Sequence, residues 1–272
     1  MKVQHENKVM SSFLQFVDHE VCDKGEAFTN HSSLFYPVAN IYNGYHTYSS
    51  PFKQFVVDTS ISNATVMTNV YVDGSPVAVN TNDFEGINHY EGQVYFSSDQ
   101  GSNVISGSYS AKDFNVYLTS EPEEKILFEE KYYINPKTSQ VLSGLAPDTQ
   151  TYPAIYLKNN GGTNIPFALG GIDNTKVNIR AIILADSAFS LDAVCGILKD
   201  THKKNVPIIE SLPFNAMNAY TGSNYNYTGL ATGMGPLIWD VFVSKNVTRG
   251  LELSRGVFSA FVDFQLWEFR TT

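Results

Sequence analysis

Val177-Asn178-Ile179-Arg180-Ala181-Ile182-Ile183-Leu184-Ala185-Asp186 decides how this chain is read, because a strand runs there directly into a helix. The run from Ala181 to Ala185 has no polar residue, which predicts a strand covered on both faces. Asp186, Ser187 or Ser190 can cap the helix that follows, since each side-chain oxygen can accept from an unpaired N–H of the first turn. Leu191, Val194, Ile197 and Leu198 recur at three- and four-residue spacing and make one apolar stripe. Lys199, Lys203 and Lys204 fall in the last turns, where positive charge complements the helix dipole. Asn205 and Pro207 end it.

Upstream of this unit, Tyr152-Pro153-Ala154-Ile155-Tyr156-Leu157 reads as a further strand. The polar, proline-punctuated segment from Asn135 to Thr149 reads as a linker. From Ser11 to about Ile134 the chain alternates short apolar and polar runs broken by Gly, Asn, Asp and Pro. Strands are expected at Phe55–Val57, Val66–Val72, Val94–Phe96, Asn103–Tyr109, Phe114–Leu118 and Ile126–Ile134. Asp73-Gly74 favours a two-residue hairpin, because both residues tolerate positive φ, and Glu91-Gly92 repeats the device. Downstream, Ser211 to Pro236 is rich in Asn, Gly, Tyr and Thr and reads as a long exposed loop with aromatic anchors. Leu237–Ser244 and Leu251–Phe269 close the chain as strands, the last long enough to invite pairing across subunits. The fold class is therefore α+β: an antiparallel β domain over 1–138, then a mixed β-sheet with one main flanking helix over 139–272.

Composition narrows the function classes. The 272 residues are 43% hydrophobic and 13% aromatic, which supplies a real core, but only 17% are charged. Little charge with abundant Asn, Ser, Thr and Tyr suits β-rich, assembly-forming surfaces. The net charge is −9, and the densest basic group is Lys199, His202, Lys203 and Lys204. A nucleic-acid binder needs a basic stripe to displace counterions, and none is visible. Cys22 and Cys195 read as reduced, buried thiols. The polar start Met-Lys-Val-Gln-His-Glu-Asn is followed by no apolar run, so neither signal peptide nor membrane span is expected. A cytosolic site of synthesis follows from that reading.

The chain carries no nucleophile elbow, P-loop or zinc-protease motif. Gly229, Gly233 and Gly235 lack the Lys-Ser/Thr ending of a phosphate loop and precede Pro236. Asp83, Glu85, His89 and Glu91 form the densest polar group and could hold a divalent metal, but their spacing matches no EF-hand and a solvated hairpin loop is the simpler reading. Glu121, Glu123 and Glu124, and Glu129 with Glu130, alternate faces along a strand and make no facing acid pair. The other histidines, including His19 in Asp18-His19-Glu20, have no Ser or Cys partner at a diagnostic spacing. Asn-x-Ser/Thr sequons at Asn30, Asn63, Asn226 and Asn246 fit chance in so Asn- and Ser-rich a chain. No enzyme, cofactor or metal site is expected.

The C-terminal half resembles the tail-terminator and neck proteins of tailed bacteriophages. The residues that carry the likeness are Tyr152–Leu157, Val177–Asp186, the helix Leu191–Lys199 and the closing Phe258-Ser259-Ala260-Phe261-Val262-Asp263-Phe264-Gln265-Leu266-Trp267. More loosely, Val72-Asp73-Gly74, Gly92-Gln93-Val94-Tyr95-Phe96 and Ser106-Gly107-Ser108-Tyr109 resemble β modules of phage virion proteins. The resemblance implies a sheet-and-helix unit that closes into a ring, of six or twelve copies, between head and tail. Terminators of the short kind lack an N-terminal half of this size, which would then be an added domain. The implied partners are other copies of the chain and neighbouring neck, tail-tube or portal-associated proteins, with DNA only as passing cargo and no membrane. The implied place is the virion, assembled in the host cytoplasm. Tyr220, Asn224, Tyr225, Tyr227, Trp239 and Trp267 are the candidate interface residues. The competing reading is a carbohydrate-binding β module or adhesin, in which clustered Tyr, Trp and Asn stack on and hydrogen-bond a sugar.

Overall fold

A computed structural model describes residues 5–39, 44–128, 152–166, 173–209, 225–231, 233–245 and 257–270. Their order is α1 (His5–Gly25), β1 (Phe28–Pro37), β2 (His46–Ser49), β3 (Asn69–Val72), β4 (Ser75–Ala78), β5 (Phe84–Asn88), β6 (Gln93–Phe96), β7 (Ile105–Lys112) and β8 (Asn115–Leu118). Then come α2 (Glu123–Phe128), β9 (Ala154–Pro166), β10 (Asp173–Ala185), α3 (Ala188–Lys199), α4 (Tyr227–Leu230), β11 (Leu237–Lys245) and β12 (Phe258–Arg270). The architecture is α+β and mostly strand. A seven-stranded antiparallel sheet, β4-β3-β7-β1-β2-β6-β5, nearly closes on itself, and a five-stranded mixed sheet has the order β11-β12-β10-β9-β8. No helix among the described residues is long and apolar enough to cross a membrane.

The first sheet wraps an aromatic core in which Phe55 and Tyr109 stack at 3.9 Å with Phe35 edge-on to both. Asp73-Gly74 makes the expected two-residue turn, both residues at positive φ (49° and 80°), with Val72 opposite Ser75. Glu91-Gly92 instead ends a four-residue connection from Asn88 to Gln93. Gly92 is needed there, because at φ 63° an added Cβ would lie 2.1 Å from the Phe52 carbonyl oxygen.

Several expectations are corrected. Residues 5–25 form a helix, not β texture: Val9, Phe13, Phe16, Val17 and Val21 make a buried stripe against the five-stranded sheet. Ile126–Phe128 lies in α2 and not in a strand. Pro122 fixes the entry, Glu123 and Glu124 favour the helix N-terminus, and Lys125 pairs with Glu121 one turn back at 3.0 Å. Phe55–Val57 is extended but joins the sheet only through the bridge from Phe55 to Ala111. β8 leaves the antiparallel half and pairs parallel with β9. The division at 138 therefore does not follow the sheets, since α1 and β8 both belong to the layer built around β9–β12. The segment 135–149 lies outside the described residues.

That layer follows from alternation along its long strands. On β12, Ala260, Val262, Phe264 and Leu266 face α1 and α3, while Phe261, Asp263, Gln265 and Trp267 face the other way. On β10, Ile179, Ala181 and Ile183 face the helices, and Ile182 and Leu184 are covered by Ile126 and Leu127 of α2. Ser187 caps α3, its Oγ accepting from the Ser190 N–H at 3.1 Å. Cys22 and Cys195 are buried free thiols, and burial pushes Cys195 up to about 11. β12 is paired with β10 along its whole length and with β11 from Ala260 to Trp267, so the body of this strand is an interior one. The edges of the sheet are β11 and β8.

Candidate interaction surface

The outer face of the five-stranded sheet divides in two. Towards β8 it is closed by α2, with Tyr117 and Tyr156 stacked at 5.1 Å beside Ile182 and Leu184. At the border Arg180 of β10 donates to both oxygens of Asp263 (2.6 and 2.9 Å) and both of Glu123 (3.0 and 3.1 Å). The guanidinium also lies 5.0 Å from the Phe261 ring. The Asp263 bonds, then Glu123, push its pKa still further up. This fork-on-carboxylate geometry clips α2 to the sheet.

Towards β11 the face is open and aromatic. Trp239 and Trp267 stack with ring centres 4.4 Å apart and planes within 10°. Lys203 Nζ sits 3.5 Å from the Trp239 ring centre, and Lys176 Nζ sits 4.1 Å from that of Trp267. Lys176 is the β10 residue opposite Trp267, and residues 203–206 run outside the start of β11. Strand order thus gives a four-layer stack, lysine, indole, indole, lysine, each ammonium drawn to the negative face of a ring. Trp239 keeps 42% of its surface exposed, Phe242 64% and Phe269 61%. A shallow groove of about 370 Å³ beside them is lined by Asn160, Asn178, Arg180, Asp240, Phe242 and Gln265.

β11 is the outermost strand. Val206 N–H and Ile238 N–H bond across to Pro236 and Lys204 carbonyls, which covers its start. From Trp239 onward no strand among the described residues pairs with its outer edge. Lys245 closes its far end on Asp192 of α3 at 2.6 Å.

Of the candidate interface residues, Trp239 and Trp267 come together on this surface. Tyr220 and Asn224 lie outside the described residues. Tyr225 and Tyr227 are corrected: both are 4% exposed and point into the chain, not out of a loop. Tyr225 donates its hydroxyl to Gln15 at 2.9 Å, and its carbonyl accepts from the Thr59 N–H and Oγ1. The Tyr227 ring stacks on His19 at 4.4 Å. Their anchor is Asp58, 2% exposed, which accepts from the Tyr227 N–H (3.0 Å), the Ser60 N–H and Oγ, and His19 Nδ1 (2.7 Å). Burial alone would raise the Asp58 pKa, but the bonds from His19, Tyr227 and Ser60 outweigh it and hold the carboxyl below the usual range.

The polar group at 83–91 does not converge. Asp83 accepts from Ser98, Glu91 pairs with Lys53 at 2.9 Å, and His89 is buried with Nε2 3.1 Å from the Met67 carbonyl. Phe84 and Ile87 are core residues of β5, so the reading of 82–92 as a solvated loop is corrected. No group of three or more His, Cys, Asp or Glu side chains comes together among the described residues in a metal-binding arrangement. Sequence reading missed the lysine–indole stack because its four members come from four separate elements. Only the pairing register brings Lys176 level with Trp267. No family model matches the chain, and no curated protein is significantly similar to it.

Proposed function

We propose that this chain is a structural virion protein that forms a ring at the head–tail junction of a tailed bacteriophage, in a neck, tail-terminator or head-completion position. The observation that supports the reading is the outer edge of β11, which from Trp239 onward pairs with no strand among the described residues, beside the exposed Trp239, Phe242 and Phe269. An open strand edge next to an aromatic patch is a liability in a monomer and is covered when copies close into a ring. The role is geometric and not catalytic. Its partners would be other copies of the chain and the adjoining neck, tail-tube or portal proteins, in a virion assembled in the host cytoplasm. The −9 net charge fits DNA as cargo that slides past an acidic wall.

The carbohydrate-binding reading draws on the same exposed aromatics. It is weaker, because the indole faces a sugar would stack on are taken by each other and by Lys176 and Lys203. Light scattering with negative-stain imaging of the same fraction tests both. The expected result is a ring with a central hole and a mass of six or twelve copies of 30.2 kDa. A protein that stays monomeric alone and with purified phage tails overturns the proposal, and glycan-array binding by that monomer would establish the alternative.

A further inference from the structure

We infer that the cleft between α1, β8 and the first sheet is a binding site for a small neutral molecule that carries an amide-like edge. Its volume is about 330 Å³, at the lower end for small-ligand pockets. Leu14, Phe55, Val57, Phe114 and Val116 supply apolar walls, and Gln54 supplies the polar feature that needs explaining. Gln54 is 4% exposed, yet neither its Nε2 nor its Oε1 has a hydrogen-bond partner among the described residues. A buried carboxamide without partners is costly and rare in a folded protein.

The backbone holds that side chain in place at a further cost. Gln54 sits at φ 60°, a left-handed conformation that residues other than glycine seldom adopt. Its N–H donates to the Tyr90 carbonyl and its carbonyl accepts from the Lys112 N–H, each at 2.9 Å. Strain and an unpaired polar group at one residue, on the wall of a cavity, are the pattern of a pre-organised site. This inference does not depend on the ring proposal.

The chemistry of the walls selects the ligand. Among the described residues that line the cavity, Lys112 and Asp18 are charged and neutralise each other at 2.6 Å, and His89 is held neutral by burial, so a charged ligand would enter without a counter-charge. A carboxamide offers one donor and one acceptor side by side. Its complement is a primary amide, a lactam or a nucleobase edge, in which N–H and C=O lie on the same side. A trans peptide bond points them apart and cannot meet both atoms.

Methyl NMR titration of the full chain tests this, with benzamide as probe and N-methylbenzamide, benzoate and toluene as controls. Benzamide at about 10 mM is expected to shift the Leu14, Val57 and Val116 methyls, since so small a ligand binds in the millimolar range. It should bind at least tenfold tighter than each control. Gln54→Leu should remove that preference, and Gln54→Gly, which also relaxes the φ, should do the same if the leucine variant does not fold. Benzamide that shifts nothing, binds no better than toluene, or binds equally well to Gln54→Gly overturns the inference and leaves a merely hydrated cleft.

Discussion

His89 is a buried histidine in the connection between β5 and β6, and its environment makes the fold sensitive to mild acid. Burial lowers its pKa to about 4 from the ordinary 6.5; the bond to the Met67 carbonyl works against this, and the nearby Lys112 charge adds a smaller push downward. Between those two values the unfolded chain holds more protons than the folded one, so stability falls as pH drops from about 6.5 to about 4. The full loss is about 3 kcal/mol at 1.36 kcal/mol for each unit. Urea midpoints across that range should fall more steeply for the native chain than for His89→Gln; parallel curves would show that His89 stays protonatable in the core. Asp58 acts in a lower window. Its folded pKa is depressed, so its contribution is complete above the unfolded carboxylate value and is lost only as pH falls through the folded one. Asp58→Ala leaves the Tyr227 N–H and His19 without their acceptor, and a loss of about 3 kcal/mol is expected in denaturant unfolding at pH 7.

At the scale of elements, α3 is held by local signals and α1 by distant ones. Ser187→Ala removes the cap of α3 and should cost about 1 kcal/mol by urea unfolding, with the fold unchanged. A neutral result would mean that Asp186 or Ser190 takes over. By contrast α1 is placed by contacts far along the chain: Glu20 with Lys204 at 2.6 Å, Asp18 with Lys112 at 2.6 Å, and the Phe13 ring edge-on to Phe264 at 4.9 Å. The spacing of Val9, Phe13, Phe16, Val17 and Val21 is a helical stripe in the sequence itself. What hides it is the β-rich stretch that follows, which draws the whole N-terminal half into one alternating pattern. The lysines at the end of α3 likewise read as dipole partners, whereas Lys203 folds over Trp239 and Lys204 reaches back to α1.

For the whole molecule, the proposed ring makes the open half of the outer face the natural contact. Trp239→Ala combined with Phe242→Ser removes aromatic area from that face without touching either core. The double variant is expected to shift the light-scattering mass from the ring towards 30.2 kDa while its circular dichroism is unchanged. A ring that persists in this variant would place the contact elsewhere, with the edge of β8 the next to examine. The insertion of a nearly closed β unit between α1 and β9 also has a mechanical consequence. The inserted unit is tied to the five-stranded layer through α1, through β8 and through the Asp58 hub, so the two sheets are joined at several points and not by a single linker.

The sequence by itself determined the elements whose signals are local: the β10–α3 unit with its serine cap, the Asp73-Gly74 hairpin, the strands β6, β7, β11 and β12, and the mixed α+β class. Each follows from side-chain alternation, capping chemistry or a positive φ that neighbouring residues alone dictate. Only the tertiary structure decided which strands share a sheet, that α1 packs with residues more than two hundred positions away, and that Tyr225 and Tyr227 turn inward onto Asp58. It also decided the lysine–indole stack and the buried carboxamide of Gln54. Those arrangements depend on register and on burial between distant segments, which no local pattern encodes.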